Sequence, residues 1–365
     1  MTLTIWQALY CTLLYTIILI ISYHYNVNPR VRNARHPHLT GYLFVLILIY
    51  CVTDFIDGDF FHYMLYVTRP HIVGLGFEKF YDIIIELVGR NYVLFRIIVW
   101  GLAISTVYFS ARQYKCNTCH LLFTLATIFI LTFAYARASL GMAVCFCGYI
   151  ILCTANKNIF KMCLGIGIMC LSMTFHRSMI IAVVIALGVK YINFTKFRLI
   201  LSLFLFPVTV LIANIILNHV LDGKIIDDRD SLEKIQIYSN IESNDTNWKG
   251  LILSFFVYAR FYVPIVILAY YLYFKRRYKL LKKYEIDMFK VAYGLIYIAS
   301  GFYFIEFKND VLFYRILFMA MIPICFLLVS CVDKRVISMK SYRICLILGI
   351  LYSYYRLTYS MYTLI

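Results

Sequence analysis

Residues 311–332 read VLFYRILFMAMIPICFLLVSCV, an apolar run of 22 residues with one charged side chain, Arg315. A helix of about 20 apolar residues is long enough to cross the hydrocarbon core of a lipid bilayer. Backbone groups inside lipid must find hydrogen-bond partners within the protein, and a single apolar run achieves this only as a helix. The stretch therefore predicts a transmembrane helix.

Comparable apolar runs fill most of the chain. Hydrophobic residues make up 63% of the 365 residues, charged residues make up 15%, and the mean hydropathy is +0.80. A soluble core could not bury so much apolar side chain, so much of it must face lipid. The sequence predicts an all-α, polytopic transmembrane helical bundle of about twelve helices (about 10–13), forming a single integral membrane domain over 1–365. The other predicted spans are 5–23, 40–56, 91–109, 118–136, 139–155, 159–175, 178–193, 199–220, 251–273, 288–305 and 342–360.

The net charge of +17 is unevenly distributed, because the basic residues concentrate in alternate loops. Loops rich in Lys and Arg remain on the cytoplasmic side of a membrane, so the charge indicates orientation and no nucleic-acid partner. Both termini and the external segments 57–90 and 221–250 are then predicted on the opposite side. Within the first segment, the spacing of apolar and acidic residues over 77–88 predicts an external amphipathic helix. The basic clusters are 30–35, 112–115, 157–161, 190–198, 275–283 and 334–343.

One cysteine motif requires a decision. Cys116-Asn117-Thr118-Cys119-His120 matches the C-x-x-C-H pattern of haem attachment. The predicted topology places it on the cytoplasmic side, where such haems are not attached, and a zinc site lacks a second nearby Cys/His pair. We therefore expect no metal and no cofactor.

Arginines recur at the predicted outer ends of the helices. A cation inside an apolar run costs about 2.5–3.5 kcal/mol, so it normally faces a partner or a wet cavity. The guanidinium fork pairs with two phosphate oxygens and stays charged, which favours a phosphate-bearing ligand. Arg137, Arg177 and Arg315 are the candidates. The alternative is that they reach the headgroups or pair with an acid, as Arg315 could with Asp310.

Two residues on the same side are candidate proton acceptors. His176 lies in Phe175-His176-Arg177-Ser178, and a histidine titrates near neutrality. Asp59 follows Gly58 in a probable turn that could present a carboxylate at the membrane edge. Either could deprotonate a hydroxyl, and a structural histidine or an ordinary acidic turn is the alternative. Possible supporting residues are Asp57, His62, Arg96, Arg260, Glu306 and Asp310.

In their order and spacing, these residues resemble the EpsG-like family of Wzy-type bacterial polysaccharide polymerases. Two departures concern the first motif, where Phe60 replaces the usual tyrosine and the arginine often found before the glycine is missing. The matching segments are Gly58-Asp59-Phe60-Phe61-His62-Tyr63, Phe77-Glu78, Arg137-Ala138-Ser139-Leu140-Gly141, Phe175-His176-Arg177-Ser178 and Tyr314-Arg315.

The resemblance implies a GT-C-like, Wzy-like fold and inverting, metal-independent glycosyl transfer at the outer face of the bacterial cytoplasmic membrane. Donor and acceptor are polyprenyl-pyrophosphate-linked oligosaccharides of capsule, exopolysaccharide or O-antigen synthesis. Membrane lipid, a chain-length regulator and the flippase of the pathway are the other implied partners. His176 or Asp59 would be the base, and Arg137, Arg177 and Arg315 would bind the pyrophosphate.

Two other functions fit a chain of this kind. A flippase or transporter of lipid-linked oligosaccharide also needs an arginine-lined cavity, but its polar residues should continue through the full depth of the helices. A membrane O-acyltransferase uses an intramembrane histidine with access from the cytoplasmic, basic side. The concentration of polar residues at the outer helix ends favours an enzyme working on one face.

Overall fold

The computed structural model describes residues 5–28, 31, 37–55, 60–69, 78–114, 116–133, 136–155, 158–190, 192–221, 248–303 and 310–364. Over these ranges the chain is helical and contains no strand. The α-helices are α1 (Ile5–Val27), α2 (Pro37–Val52), α3 (Phe60–Thr68), α4 (Lys79–Leu87), α5 (Tyr92–Gln113), α6 (Thr118–Phe133), α7 (Ala136–Thr154), α8 (Ile159–Phe175), α9 (Met179–Lys190), α10 (Lys196–Phe204), α11 (Phe206–Leu221), α12 (Trp248–Ala269), α13 (Lys283–Tyr303), α14 (Asp310–Met319), α15 (Met321–Asp333) and α16 (Met339–Leu364).

The predicted polytopic helical membrane fold is confirmed, since each predicted apolar span contains helix. By length and composition, four described stretches can cross a membrane unaided: Ile5–Val27, Tyr92–Gln113, Phe255–Phe274 and Tyr314–Asp333. Large apolar side chains remain exposed on the bundle surface. Trp6 is 80% exposed, and Phe160 and Phe204 are each 76% exposed, as expected of side chains that face lipid.

Two predicted spans each contain a one-residue turn between two helices, and a proline follows each turn. Span 199–220 turns at Leu205 between α10 and α11, where Pro207 follows. Span 311–332 turns at Ala320 between α14 and α15, where Pro323 follows. Proline lacks the N–H of a continuing helix and crowds the carbonyl four residues earlier. Both prolines stand in the first turn of the second helix, where proline is tolerated.

Helix α15 forms the centre of the bundle. All of its residues from Met321 to Val332 are buried. A helix that is apolar and buried around its whole circumference lies inside a bundle. It packs against α6, α7, α12 and α13, so it connects the two halves of the chain.

Glycines permit two very close helix crossings. A Cβ atom on Gly148 of α7 would lie 2.7 Å from the carbonyl oxygen of Gly165 on α8. A Cβ on Gly349 of α16 would lie 2.5 Å from the Cα of Ile128 on α6. No real side chain fits at such distances. Small residues allow helices in membranes to approach this closely and gain packing energy.

Candidate functional site

Helices α7 and α8 form an antiparallel hairpin that brings two predicted motifs together. Gly148 packs on Gly165 near the middle of the hairpin, and Gly141 packs beside Ser172 and His176 nearer its open end. The start of α7 therefore lies next to the end of α8. We call this region, with the start of α9, the His176 end of the bundle.

The backbone of His176 is fixed on both sides. His176 directly follows α8 in an extended conformation, and its N–H donates to the Ser172 carbonyl at 3.1 Å. Its own carbonyl accepts from the N–H of Met179 at 2.9 Å, at the start of α9. A Cβ on Gly141 would lie only 3.1 Å from the Cβ of His176. The base of the histidine side chain therefore rests on the bare backbone of α7.

The imidazole of His176 has an acidic neighbour, Glu78. Nδ1 of His176 lies 3.6 Å from Oε1 of Glu78, within ion-pair range. The two side chains are only 12% and 11% exposed, so water screens the interaction weakly. In enzymes without bound substrate, the distances between catalytic groups are often long, and they shorten when substrate binds. The pair combines a group that can take up a proton with a carboxylate that stabilises the resulting charge.

Glu78 is held in place by the amphipathic helix that follows it. Helix α4 was predicted over 77–88 and spans Lys79–Leu87. The ring of Phe80 packs edge-on against Phe175, with 4.4 Å between centroids. The hydroxyl of Tyr66 on α3 donates to the Asp82 carboxylate at 3.1 Å. The Phe80–Phe175 contact attaches α4 to the His176 end, and the Tyr66–Asp82 bond attaches it to α3.

The three candidate arginines lie on separate elements. Arg137 is in the first turn of α7, one helical turn before Gly141; its backbone position alone is described. Arg177 is exposed in the turn between α8 and α9. Arg315 is half-buried on α14, a helix that packs against α9. The helices that carry Arg137 and Arg315 therefore both contact α9, and α9 begins shortly after His176.

The side chain of Arg96, a possible supporting residue, makes hydrogen bonds to other parts of the protein. Its guanidinium is fully buried and donates through Nε (3.2 Å) and Nη2 (2.5 Å) to the carbonyl of Cys51 at the end of α2. Nη1 donates to the Tyr92 hydroxyl at 2.7 Å, and that hydroxyl donates to the Phe60 carbonyl at 2.9 Å. Arg96 therefore connects the end of α2 to the start of α3.

Arg260, another supporting candidate, is enclosed by aromatic rings. Its guanidinium carbon lies 3.6 Å from the ring centroid of Tyr352 and 5.4 Å from that of Phe129. Cation–π contacts of this kind stabilise a desolvated guanidinium by about 2 kcal/mol. Pro264, one turn later in α12, cannot donate to the Arg260 carbonyl. The contacts place Arg260 inside the bundle, between α6 and α16.

Several predicted site residues fall where the structure gives little or no description. Asp57, Asp59 and Glu306 lie outside the described residues. His62 lies in α3 and Asp310 is the first residue of α14, and for both the backbone alone is described. Their roles stay predictions.

A second polar cluster occupies the end of the bundle that carries the basic loops. Nδ1 of the buried His120 lies 3.2 Å from Oδ1 of Asp333, and Nε2 lies 3.0 Å from the Tyr342 hydroxyl. That hydroxyl also bonds to Thr124, at 2.6 Å. Both ring nitrogens are therefore engaged by the protein itself. This cluster ties α6, α15 and α16 together and offers no ring nitrogen to a substrate, which disfavours the acyltransferase alternative.

Sequence reasoning missed two residues at the His176 end. Glu78 enters the sequence analysis only as part of the Phe77-Glu78 motif. Nothing near it in the sequence indicates His176 as its partner. Gly141 was noted only as the end of the arginine motif. Its position four residues after Arg137 is a usable signal, because it places both on one helix face.

Among families of known proteins, the model of the EpsG family matches residues 38–364 of the chain. No curated protein and no solved structure matches it.

Proposed function

The chain belongs to the EpsG family, and from this premise we propose that it is a polysaccharide polymerase acting at the outer face of the bacterial cytoplasmic membrane. It transfers a glycan from a polyprenyl-pyrophosphate carrier to a second lipid-linked repeat unit of a capsule, exopolysaccharide or O-antigen. The observation that carries the proposal is the His176–Glu78 pair, set on the α7 backbone one turn from Arg137.

The pair suits the activation of a sugar hydroxyl. In the proposed reaction, the acceptor oxygen attacks the anomeric carbon of the donor and its proton passes to Nε2 of His176. The Glu78 carboxylate beside Nδ1 stabilises the imidazolium that forms. Asp59 is the competing base, and we prefer His176 because the Glu78 carboxylate lies beside its Nδ1.

The leaving group accounts for the arginines. As the bond between the anomeric carbon and the pyrophosphate oxygen breaks, negative charge develops on the lipid pyrophosphate. Guanidinium groups already in place stabilise such charge without reorganising, a large source of catalysis in water-poor sites. We assign this role to Arg137, Arg177 and Arg315, with inversion at the anomeric carbon and without a metal.

Reconstitution tests the proposal. Purified protein in liposomes receives a lipid-linked repeat unit, and products are separated by gel electrophoresis. We expect a ladder of glycans, and a loss of about 10²–10⁴-fold in rate for His176→Ala, the range for a general base. Arg137→Ala and Arg315→Ala should also lose the ladder. Arg112→Ala, an exposed arginine in the last turn of α5, is the matched control that should keep it.

The same assay distinguishes a polymerase from the main alternative, a flippase. A flippase would move the lipid-linked unit across the bilayer and leave its length unchanged. Translocation without a ladder would therefore replace the polymerase proposal. A ladder that persists at full rate in Arg137→Ala and His176→Ala would reject the assigned residues.

A further inference from the structure

Three segments at the end of the bundle that carries the basic loops form one cationic surface. They are 192–198 at the start of α10, 275–282 between α12 and α13, and 334–338 between α15 and α16. None of the three contains an aspartate or a glutamate. We call six exposed side chains of these segments the basic patch: Lys196, Lys275, Arg276, Arg277, Lys279 and Arg335.

Side-chain contacts hold the three segments together. Nη1 of Arg277 donates to the carbonyls of Arg335 at 3.1 Å and Val336 at 2.9 Å, which joins the second segment to the third. Nζ of Lys196 lies 4.8 Å from the ring centroid of Phe274, the residue that directly precedes the second segment. The basic patch is therefore a single surface, although its residues are far apart in the sequence.

The acids closest to the patch in sequence already have partners inside the bundle. The buried Glu285 pairs with Lys334, and Asp333 lies beside His120. The cations of the patch thus gather at the surface without an acid of their own segments. Charges of one sign at one surface repel each other, and a bound anion relieves that repulsion.

Two arginines of the patch occupy backbone positions that favour glycine. Arg276 has a φ of 55° and Arg335 a φ of 56°. This left-handed region strains residues that have a Cβ atom, whereas glycine adopts it freely. Each turn therefore presents a guanidinium where the backbone alone would favour glycine. Such strain points to a use for the side chain itself.

Large apolar side chains stand between the cations. Phe197 adjoins Lys196 and is 71% exposed, and Leu280 adjoins Lys279 and is 56% exposed. This mixture is typical of segments at the headgroup level of a bilayer, where the apolar group enters the acyl boundary and the cation stays at the surface. A small aqueous anion would leave both apolar groups in water.

The basic patch also lies where two membrane-spanning stretches end. The stretch Phe255–Phe274 ends directly before Lys275, and the stretch Tyr314–Asp333 ends two residues before Arg335. At this level the nearest anions are the phosphates of phospholipid headgroups. Basic residues next to a span are attracted to anionic lipids.

We propose that the basic patch is a binding site for the headgroups of anionic phospholipids. Its guanidinium and ammonium groups contact the lipid phosphates, and Phe197 and Leu280 enter the acyl boundary beside them. The inference is independent of the proposed reaction, because no step of that reaction uses these residues.

Lipid competition tests the proposal. Purified protein in detergent receives equal concentrations of phosphatidylglycerol and phosphatidylcholine, and native mass spectrometry counts the lipids retained. We expect the wild type to prefer phosphatidylglycerol. Arg276→Gln/Arg335→Gln should lower that preference about tenfold or more, since each cation near an anionic surface changes the affinity about fivefold.

A matched control distinguishes a site from a general effect of net charge. Arg112→Gln/Lys161→Gln removes two exposed cations from other basic segments and should keep the preference. An equal loss in both double variants, or a wild type that retains the two lipids equally, would overturn the proposal.

A glycine variant guards against loss of binding through misfolding. Arg276→Gly/Arg335→Gly relieves the strain of both turns, and the bond from Arg277 to the Arg335 carbonyl needs only the backbone. We expect this variant to lose the preference as the glutamine variant does. A preference that persists in the glycine variant would overturn the proposal.

Soluble competitors separate the lipid from other anions. Inorganic phosphate and a hexaglutamate peptide are each added to the protein with bound phosphatidylglycerol. We expect neither to displace the lipid, because neither supplies an acyl chain beside Phe197 and Leu280. Displacement by inorganic phosphate would assign the patch to a small anion, and displacement by hexaglutamate would assign it to an acidic polypeptide. Either result would overturn the lipid site.

Discussion

In the proposed mechanism, Glu78 favours one of the two nitrogens of His176 as the proton acceptor. A carboxylate beside Nδ1 favours the tautomer that carries its proton there, and the proposed mechanism then uses Nε2 as the proton acceptor. The pair lies within 3.6 Å, and both side chains are nearly buried, so its energy is weakly screened. At the residue scale, the proposed chemistry therefore depends on a positioning residue as well as on the base itself.

We predict that Glu78→Gln lowers the polymerisation rate by about tenfold or more, a part of what a general base contributes. The amide keeps the size of the side chain but removes the negative charge that stabilises the imidazolium. The basic form of His176 then persists to lower pH, so the acid limb of the rate profile should move to lower pH. Rates measured across the pH range check both effects.

Glu86→Gln is the matched control, since Glu86 is exposed on α4, the helix that Glu78 immediately precedes. Its rate and pH profile should equal those of the wild type. An unshifted acid limb in Glu78→Gln would mean that Glu78 has a structural role only.

Arg96 should affect stability and have little direct effect on chemistry. Lysine cannot reproduce the contact of two guanidinium nitrogens with the Cys51 carbonyl, and hydrogen bonds from charged groups contribute about 1.5–3 kcal/mol each. We expect Arg96→Lys to lower Tm in nanodiscs, followed through tryptophan fluorescence because the guanidinium lies 4.6 Å from the Trp100 ring. Arg112→Lys on the same helix should leave Tm unchanged. If Arg96→Lys also left Tm unchanged, the connecting role of Arg96 between α2 and α3 would be rejected.

At the scale of elements, the crossing of α7 and α8 positions the site. We predict that Gly148→Ala lowers both Tm and polymerisation, because its Cβ would lie 2.7 Å from backbone atoms of Gly165 and Met169. Overpacking typically costs about 1–3 kcal/mol. Thermal unfolding in nanodiscs and the ladder assay measure the two effects.

Gly167→Ala is the control for that substitution. It lies on α8 with nothing within 4 Å of its Cβ position, so it should be tolerated. If Gly148→Ala were equally well tolerated, the hairpin would be looser than the structure indicates.

The helices themselves could be predicted from the sequence, because apolar run length determines them. The breaks at Leu205 and Ala320 could also have been inferred, since Pro207 and Pro323 were visible in the sequence. The Glu78–His176 contact could not, because nothing local to either residue specifies a partner so distant in the chain.

At the scale of the whole molecule, sidedness is the main prediction still to be tested. The basic loops predict that Arg90 faces outward and Lys279 inward. A membrane-impermeant maleimide added to intact cells should label Arg90→Cys at once, and Lys279→Cys only after permeabilisation. Both positions are exposed in the structure. The reverse pattern would place the proposed site on the wrong face of the membrane.

Cys116, a native cysteine beside one of the basic loops, should contribute little background to this experiment. Burial, together with the nearby carboxylates of Asp333 and Glu285, raises the pKa of the Cys116 thiol. Little reactive thiolate therefore forms in that loop at neutral pH. The unsubstituted chain, labelled in parallel, measures the remaining background.

The α7–α8 hairpin also has a consequence for the order of assembly during synthesis. Its contacts join neighbouring segments, and local contacts form faster than those that close long loops. Once residues up to 190 have entered the bilayer, the nascent chain already contains Glu78, Arg137 and His176. Arg315 on α14 follows later in synthesis, so the proposed base is in place before one of the candidate pyrophosphate-binding arginines.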